Sequence, residues 1–138
     1  MNRITTEILS PTLKNRLRFA GFSGLSSIVN NTLCLQTVAA EFSYKRKGGV
    51  FDKTLILIIE DDVEGRTTNA VSAIQTHHDE INIDIMNGDA KPDSTFNLYG
   101  CSVESIEYDL SYTSSEVANY RIEVKFNKLD RTAPSKKN

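Results

Sequence analysis

Phe96 to Phe126 read FNLYGCSVESIEYDLSYTSSEVANYRIEVKF, and the alternation within this stretch decides the fold. Ile106, Tyr108, Leu110 and Tyr112 recur at every second position with Glu107, Asp109 and Ser111 between them. That is the signature of a strand with one dry and one wet face. After the polar turn Thr113-Ser114-Ser115-Glu116, the alternation resumes as Ala118, Tyr120, Ile122, Val124 and Phe126 against Asn119, Arg121, Glu123 and Lys125. Two such runs joined by a few turn residues predict an antiparallel hairpin. Phe96 to Cys101 ends a third strand, and Gly100 supplies a permissive backbone where the chain bends before Val103.

Outward from this hairpin, the whole chain sets bounds. Its 138 residues suffice for one core and one domain. Charged residues make up 25% and hydrophobic ones 39%, as in an ordinary globular domain. The formal net charge of -2 lacks the basic surplus that a sequence-independent nucleic-acid binder carries. Cys34 and Cys101 are expected to be free thiols, made in a reducing cytosol. No stretch approaches the ~18 apolar residues of a membrane span, and the first residues lack a signal-peptide core, so neither membrane insertion nor secretion is expected.

Upstream, residues 1–15 form a polar arm with Ile4, Ile8 and Leu9 at helical spacing, interrupted by Pro11, and suited to docking on a neighbour. The domain is expected over residues 16–130. It begins with a strand at Arg16 to Phe19 that ends in the turn around Gly21 and Gly24. A second strand is predicted over Leu33 to Val38. Asn30-Asn31-Thr32 matches the N-glycosylation triplet, which has no use without a secretory route. Tyr44 to Gly49 hold the basic cluster Lys45, Arg46 and Lys47 in what reads as a loop. Leu55, Ile56, Leu57, Ile58 and Ile59 follow as an unbroken apolar run, which requires cover on both faces. In so small a domain the second cover is expected from another subunit, because such a strand left open would aggregate.

One helix is predicted after Glu60-Asp61-Asp62. Ala70, Ala73, Ile74 and His77 share a stripe, with Thr67 or Thr68 as its cap. Ile81, Ile83 and Ile85 alternate with polar residues as a further strand, closed by Asn87-Gly88-Asp89. Residues 131–138, RTAPSKKN, read as a disordered tail.

Catalytic and metal chemistry find little support. The acidic triplet lacks calcium-loop spacing. His77-His78-Asp79-Glu80 has neither the H-E-x-x-H spacing nor a cysteine partner for zinc. The basic residues precede Gly48 and Gly49 rather than follow them, so there is no phosphate-binding loop. No serine or cysteine sits in a nucleophile signature. No enzyme and no cofactor are expected.

The ordered series of a strand ending in LYGC, a link carrying V-x-S-I, the strand EYDLSY, a turn and a last amphipathic strand resembles the C-terminal half of the tail tube proteins of contractile-tailed phages. The similarity extends more loosely upstream to about Arg16 and downstream to Leu129. The resemblance implies a mainly β, antiparallel sandwich or barrel with one short helix. It also implies a structural virion protein: a major tail tube subunit whose hexameric rings stack into the inner tube of a contractile tail, assembled in the host cytoplasm. Its partners would be the tail sheath protein, the tape measure protein, a baseplate initiator and genomic DNA that passes without specific binding.

In such a tube Lys45, Arg46 and Lys47 would reach the adjacent ring, and Leu55 to Ile59 would serve pairing within a ring. Asp84, Glu107, Asp109 and Glu123 are lumen candidates by alternation, giving a surface past which a polyanion slides. The chain departs from the family in its short length and in Asn127-Lys128-Leu129-Asp130, where an aromatic close is usual. These departures leave a baseplate tube initiator or a type VI-like injection-system tube subunit as alternatives. A monomeric β-sandwich binding module, using the basic cluster on an acidic partner, is the alternative of another class.

Overall fold

The computed structural model describes residues 12–89, 91–109 and 117–132. After a 3-10 turn at Lys14–Arg16, the elements in order are β1 (Leu17–Phe22), α1 (Ser27–Gln36), β2 (Thr37–Lys47), β3 (Val50–Glu60) and α2 (Arg66–Ser72). They continue with β4 (His77–Met86), β5 (Pro92–Asp109), β6 (Asn119–Lys125) and β7 (Lys128–Thr132). Every ladder is antiparallel. The strands run β1-β4-β5-β6-β3-β2, with β7 added beside β5.

The 18-residue β5 organises the sheet. Up to Ser102 it pairs with β4, and from Ser102 to Asp109 it pairs with β6. β7 continues β6 along the same edge in the same register, since Ser102 faces Lys125 and Tyr99 faces Lys128. The path is interrupted at Phe126-Asn127, opposite the bend at Gly100. There φ is +63°, in the left-handed region where a side chain is disfavoured. The Asn127 N–H donates to the Tyr99 carbonyl at 2.8 Å and anchors the bend. One half-sheet is therefore β1-β4-β5-β7 and the other β5-β6-β3-β2, curled over one core.

Alternation fills that core. Ile81, Ile83 and Leu98 of the first half meet Leu55, Leu57, Ile59, Ile122 and Val124 of the second, together with Phe19 and Leu33, all 0% exposed. Each such side chain contributes about 1.5–3 kcal/mol when fully removed from water. The Phe42 and Phe96 rings pack edge to face, 4.7 Å between centroids, across the open side of the curl. There β1 and β2 run side by side without a hydrogen-bonded ladder. The sandwich or barrel expectation is met as an antiparallel half-barrel.

Several sequence expectations require correction. Leu33 to Gln36 end helix α1, and the second strand begins only at Thr37. The Val29 N–H donates to the capping Ser26 hydroxyl. The Asn30 side chain accepts from the Phe22 N–H and donates to the Phe22 carbonyl, both at 3.0 Å, which ties the helix to the end of β1. Leu33 alone is buried, so a six-residue window of alternating apolar residues could not separate helix from strand.

Helix α2 stops at Ser72, and His77 opens β4. Its start is held by Asp62, whose carboxylate accepts from the Thr67 N–H at 2.8 Å, instead of by a threonine cap. Arg131 and Thr132 belong to β7, where they face Phe96 and Thr95. The turn Thr113 to Glu116, Leu110, Tyr112, residues 1–11 of the arm and residues 133–138 of the tail lie outside the described residues.

Candidate assembly surfaces

The register of the second half-sheet defines its outward face. One row carries Glu41, Ile56, Glu123 and Ser105, and the next Ala39, Ile58, Arg121 and Glu107. Glu107 and Glu123, two of the lumen candidates, thus lie on one face. Arg121 stands between them, with its guanidinium 3.9 Å from Glu107 and 3.7 Å from Glu123. Asp109 lies in register with Asn119, two positions beyond Glu107 on the same strand.

Asp84 does not join them. It sits on the first half-sheet, accepting from the Thr95 hydroxyl at 2.8 Å and lying 3.9 Å from Arg18. The two half-sheets turn their inner faces to one core, so Asp84 and the Glu107–Glu123 face point away from each other. Glu41 is exposed on the acidic face and was missed in the sequence, because the register of β2 against β3 alone places it there.

Leu55 to Ile59 occupy the interior strand β3. Leu55, Leu57 and Ile59 are fully buried, while Ile56 and Ile58 are half-buried on the outward face. Both edges of β3 are taken within the chain, by β2 on one side and β6 on the other. These residues are therefore not available for backbone pairing with a neighbour, and a role for them between subunits is limited to the side chains of Ile56 and Ile58.

Free edges lie elsewhere. Among the described residues, β2 has no ladder on the side away from β3, although β1 runs alongside part of it, and β5 beyond Ser102 has none on the side away from β6. Apolar side chains accompany both edges. Val38 on β2 and Ile28 and Leu35 on α1 are 56%, 77% and 82% exposed, and Ile106 and Tyr108 on β5 are exposed too. Unpaired edges with apolar company are surfaces that a soluble protein covers.

The basic cluster is a β-hairpin tip and not a loop. β2 and β3 stay in register out to the Lys47–Val50 pair, and Gly48 and Gly49 form the turn with φ +61° and +81°. Alternation splits the cluster. Arg46 lies over the Phe51 ring at 5.5 Å, and Lys53 approaches both Phe51 and Tyr44 on the same side. Lys45 and Lys47 occupy the other side. Asp52 beside them is already engaged: it accepts from Thr54 at 2.8 Å and pairs with Lys125 at 3.3 Å. The Thr54 hydroxyl and then the Lys125 ammonium hold its carboxyl below the usual carboxylate range. Among the described residues, none of Lys45, Arg46 and Lys47 has an ion-pair partner.

The acidic triplet at the other end of β3 has a structural use. Asp61 accepts from the Tyr108 hydroxyl at 2.7 Å, and the Tyr120 hydroxyl shares a 2.6 Å hydrogen bond with Thr68. The two tyrosine rings pack 4.5 Å apart. Donation to Asp61 keeps the Tyr108 phenol above its ordinary value, and the Thr67 N–H holds Asp62 below its own. His78 is buried against Phe22, with Nδ1 2.9 Å from the Ser23 carbonyl. Among the described residues, no group of three or more His, Cys, Asp or Glu side chains is placed to hold a metal ion. Both cysteines are free, Cys101 buried and Cys34 half-buried.

No protein-family model matches the sequence, and no curated protein matches it either. Solved structures do. A chain of the sheath-tube complex of an extracellular contractile injection system, PVC, matches with a TM-score of 0.54 at 15% identity, over 90% of this chain and 93% of that one. A chain of the PVC sheath/tube terminator matches with a TM-score of 0.54 at 16% identity, over 92% and 100%. Hcp1 from Salmonella typhimurium matches with a TM-score of 0.57 at 8% identity, over 83% and 82%. At these identities the likeness is one of fold: the chain has the Hcp-like fold of the tube proteins of contractile injection and type VI secretion systems.

Proposed function

We propose that this protein is a structural tube subunit whose copies close into hexameric rings, and that the rings stack into the inner tube of a contractile particle. The observation that carries the reading is the pair of unladdered, apolar-flanked edges of the second half-sheet, β2 at one side and β5 beyond Ser102 at the other. Two different edges on one chain make a heterologous contact, and a heterologous contact that closes makes a ring without exposed strand edges. The shared fold with tube proteins supports the same reading.

In such a ring the face bearing Glu107, Glu123 and Glu41 lines the lumen, with Asp109 on the same strand as Glu107. Paired acids leave a surface that a polyanion passes without adhering to. Lys45, Arg46 and Lys47 project from the hairpin tip toward the adjacent ring. The sheath encloses the tube, a baseplate component initiates it, and a tape measure protein sets its length. In the phage form of this reading the particle is a virion tail, and genomic DNA is what passes. The injection-system form is favoured by the likeness to PVC and Hcp1. The neighbouring genes separate the two forms, a tape measure and capsid set indicating the phage.

Native mass spectrometry over a range of concentrations tests the ring. Assemblies of six copies are expected. A single chain at every concentration, including in the presence of a nucleating baseplate fraction, refutes the reading in favour of a monomeric binding module.

A further inference from the structure

We infer that Asn87 is a site of spontaneous covalent modification: the Gly88 backbone nitrogen closes on its side-chain amide, ammonia leaves, and water opens the ring to aspartate or isoaspartate. The inference is independent of the ring reading and concerns the turn between β4 and β5. Asn-Gly occurs once in the chain, at this turn. Asn87 is half-buried, and Gly88 and Asp89 are exposed.

The turn leaves each reacting atom in a suitable state. Asn87 Oδ1 accepts from the Asp89 N–H at 2.9 Å and from the Lys91 N–H at 3.0 Å. A backbone N–H only donates, so it is the amide oxygen that faces both. Two donors on that oxygen polarise Cγ and stabilise the negative charge that gathers there during attack. Nδ2, the leaving group, makes no hydrogen bond among the described residues. Neither does the Gly88 N–H, the nucleophile. Nothing lies within 4 Å of the place a Cβ would take on Gly88, so the approach is open. Asn30 and Asn97 differ: their amide nitrogens are bound, to the Phe22 carbonyl and the Thr132 hydroxyl, and Asn31 and Leu98 follow them.

As the bond from the Gly88 nitrogen to Cγ forms, that nitrogen gives its proton to water. The bond from Cγ to Nδ2 breaks, Nδ2 takes up a proton and departs as ammonia, and a cyclic imide remains. Water then adds to one imide carbonyl. Opening at Cγ leaves an aspartate in an unaltered backbone, and opening at the main-chain carbonyl leaves an isoaspartate with the chain routed through Cβ. Either product places a carboxylate in the cavity that Asn87 and Gly88 share with Arg16 and Arg131. Neither arginine has an ion-pair partner among the described residues. Isoaspartate also lengthens the loop closed by the 2.8 Å bond from the Asn87 N–H to the Lys91 carbonyl, beside the Met86–Pro92 pair that ends the ladder.

Peptide mass mapping of the full chain, aged at mildly alkaline pH either native or in concentrated guanidinium chloride, tests this. A protease that cuts before aspartate releases residues 84–88, DIMNG, in which Asn87 carries the only side-chain amide. Conversion changes the peptide mass by the exchange of NH2 for OH. An ordinary aspartate at this position is cut again, and isoaspartate is not. The native chain is expected to convert at least as fast as the unfolded one. G88A is expected to convert at least about tenfold more slowly, because the added methyl group obstructs the attacking nitrogen. Gly88 lies outside the left-handed region, so this variant keeps the fold, which circular dichroism checks. The inference is overturned if Asn87 stays intact in the native chain, if it converts more slowly there than in the unfolded chain, or if G88A converts equally fast.

Discussion

Gly100→Ala should be among the most damaging single-atom additions in the chain, and Gly48→Ala gives the scale for it. The two glycines share nearly the same backbone conformation, φ +63° and +61°. A Cβ at Gly48 meets nothing within 4 Å, so the cost there is the left-handed conformation alone, about 1–2 kcal/mol. Part of that is offset by roughly 0.4–1 kcal/mol from a stiffer unfolded chain. A Cβ at Gly100 lies 2.5 Å from Asn127 Nδ2 and 3.1 Å from its Cβ and Cγ.

Turning the amide away does not relieve the Cβ contact, so Asn127 must shift. Its N–H bond to Tyr99 at 2.8 Å and the Lys53 ammonium bond to its carbonyl at 2.6 Å then loosen. Overpacking of this kind adds about 1–3 kcal/mol. We expect G48A to lose at most about 1.5 kcal/mol and G100A about 2–4. At roughly 3–5 °C per kcal/mol for a domain of this size, the melting temperature of G100A should fall by about 6–20 °C. Urea denaturation of G48A, G100A, N127G and G100A/N127G reads the effect, and the double variant should recover at least about 1 kcal/mol. Equal losses for G48A and G100A would refute the claim that the bend in β5 is fixed by close approach to the β6–β7 interruption.

Other consequences of the packing are open to direct measurement. Leu57→Ala should cost about 2–5 kcal/mol and Ile58→Ala roughly 1, because adjacent residues of β3 face the core and the outer surface; denaturant titration of the two variants separates them. Asn30→Ala should cost about 1–3 kcal/mol in the same assay, since it orphans both the Phe22 N–H and its carbonyl.

Asp62 has a folded pKa below its unfolded value, so its stabilisation is complete above the ordinary carboxylate value of about 3.9 and is lost as pH falls through it toward the depressed folded value. D62N should therefore melt lower at neutral pH, with a shallower loss on acidification, as followed by melting temperature against pH. Burial pushes the Cys101 thiol up to about 11, and Cys34 is half-buried. A thiol reagent should accordingly modify Cys34 first and reach Cys101 only on unfolding.

Much of the fold is legible in the sequence where burial follows a simple period. Ile81, Ile83 and Ile85 read as one buried face and are one, and Ile122 and Val124 do the same for β6, with Tyr120 half-buried at its start and Phe126 buried just past its end. Helix α1 escapes because its segment buries one side chain, Leu33, and is held by the Asn30 contacts to Phe22, a distant pairing that no local period announces.

The surfaces divide in the same way. Alternation places Glu107 and Glu123 correctly opposite the core, yet it cannot tell that Asp84, of equal parity on its own strand, belongs to the other half-sheet. The run Leu55 to Ile59 reads as needing two covers. Its strand partners turn out to be β2 and β6 of the same chain, while the unladdered edges of that half-sheet are β2 and the far half of β5. Strand order is a property of long-range pairing, which no local period along the chain carries.

Electron cryomicroscopy of the assembled protein tests the central claim most directly, because it locates the boundary between neighbouring copies within a ring. Six copies joined where β2 of one meets β5 beyond Ser102 of the next, with β3 still flanked by its own β2 and β6, is the expected result. A boundary that leaves either of those edges facing water, or particles of one chain only, would contradict it.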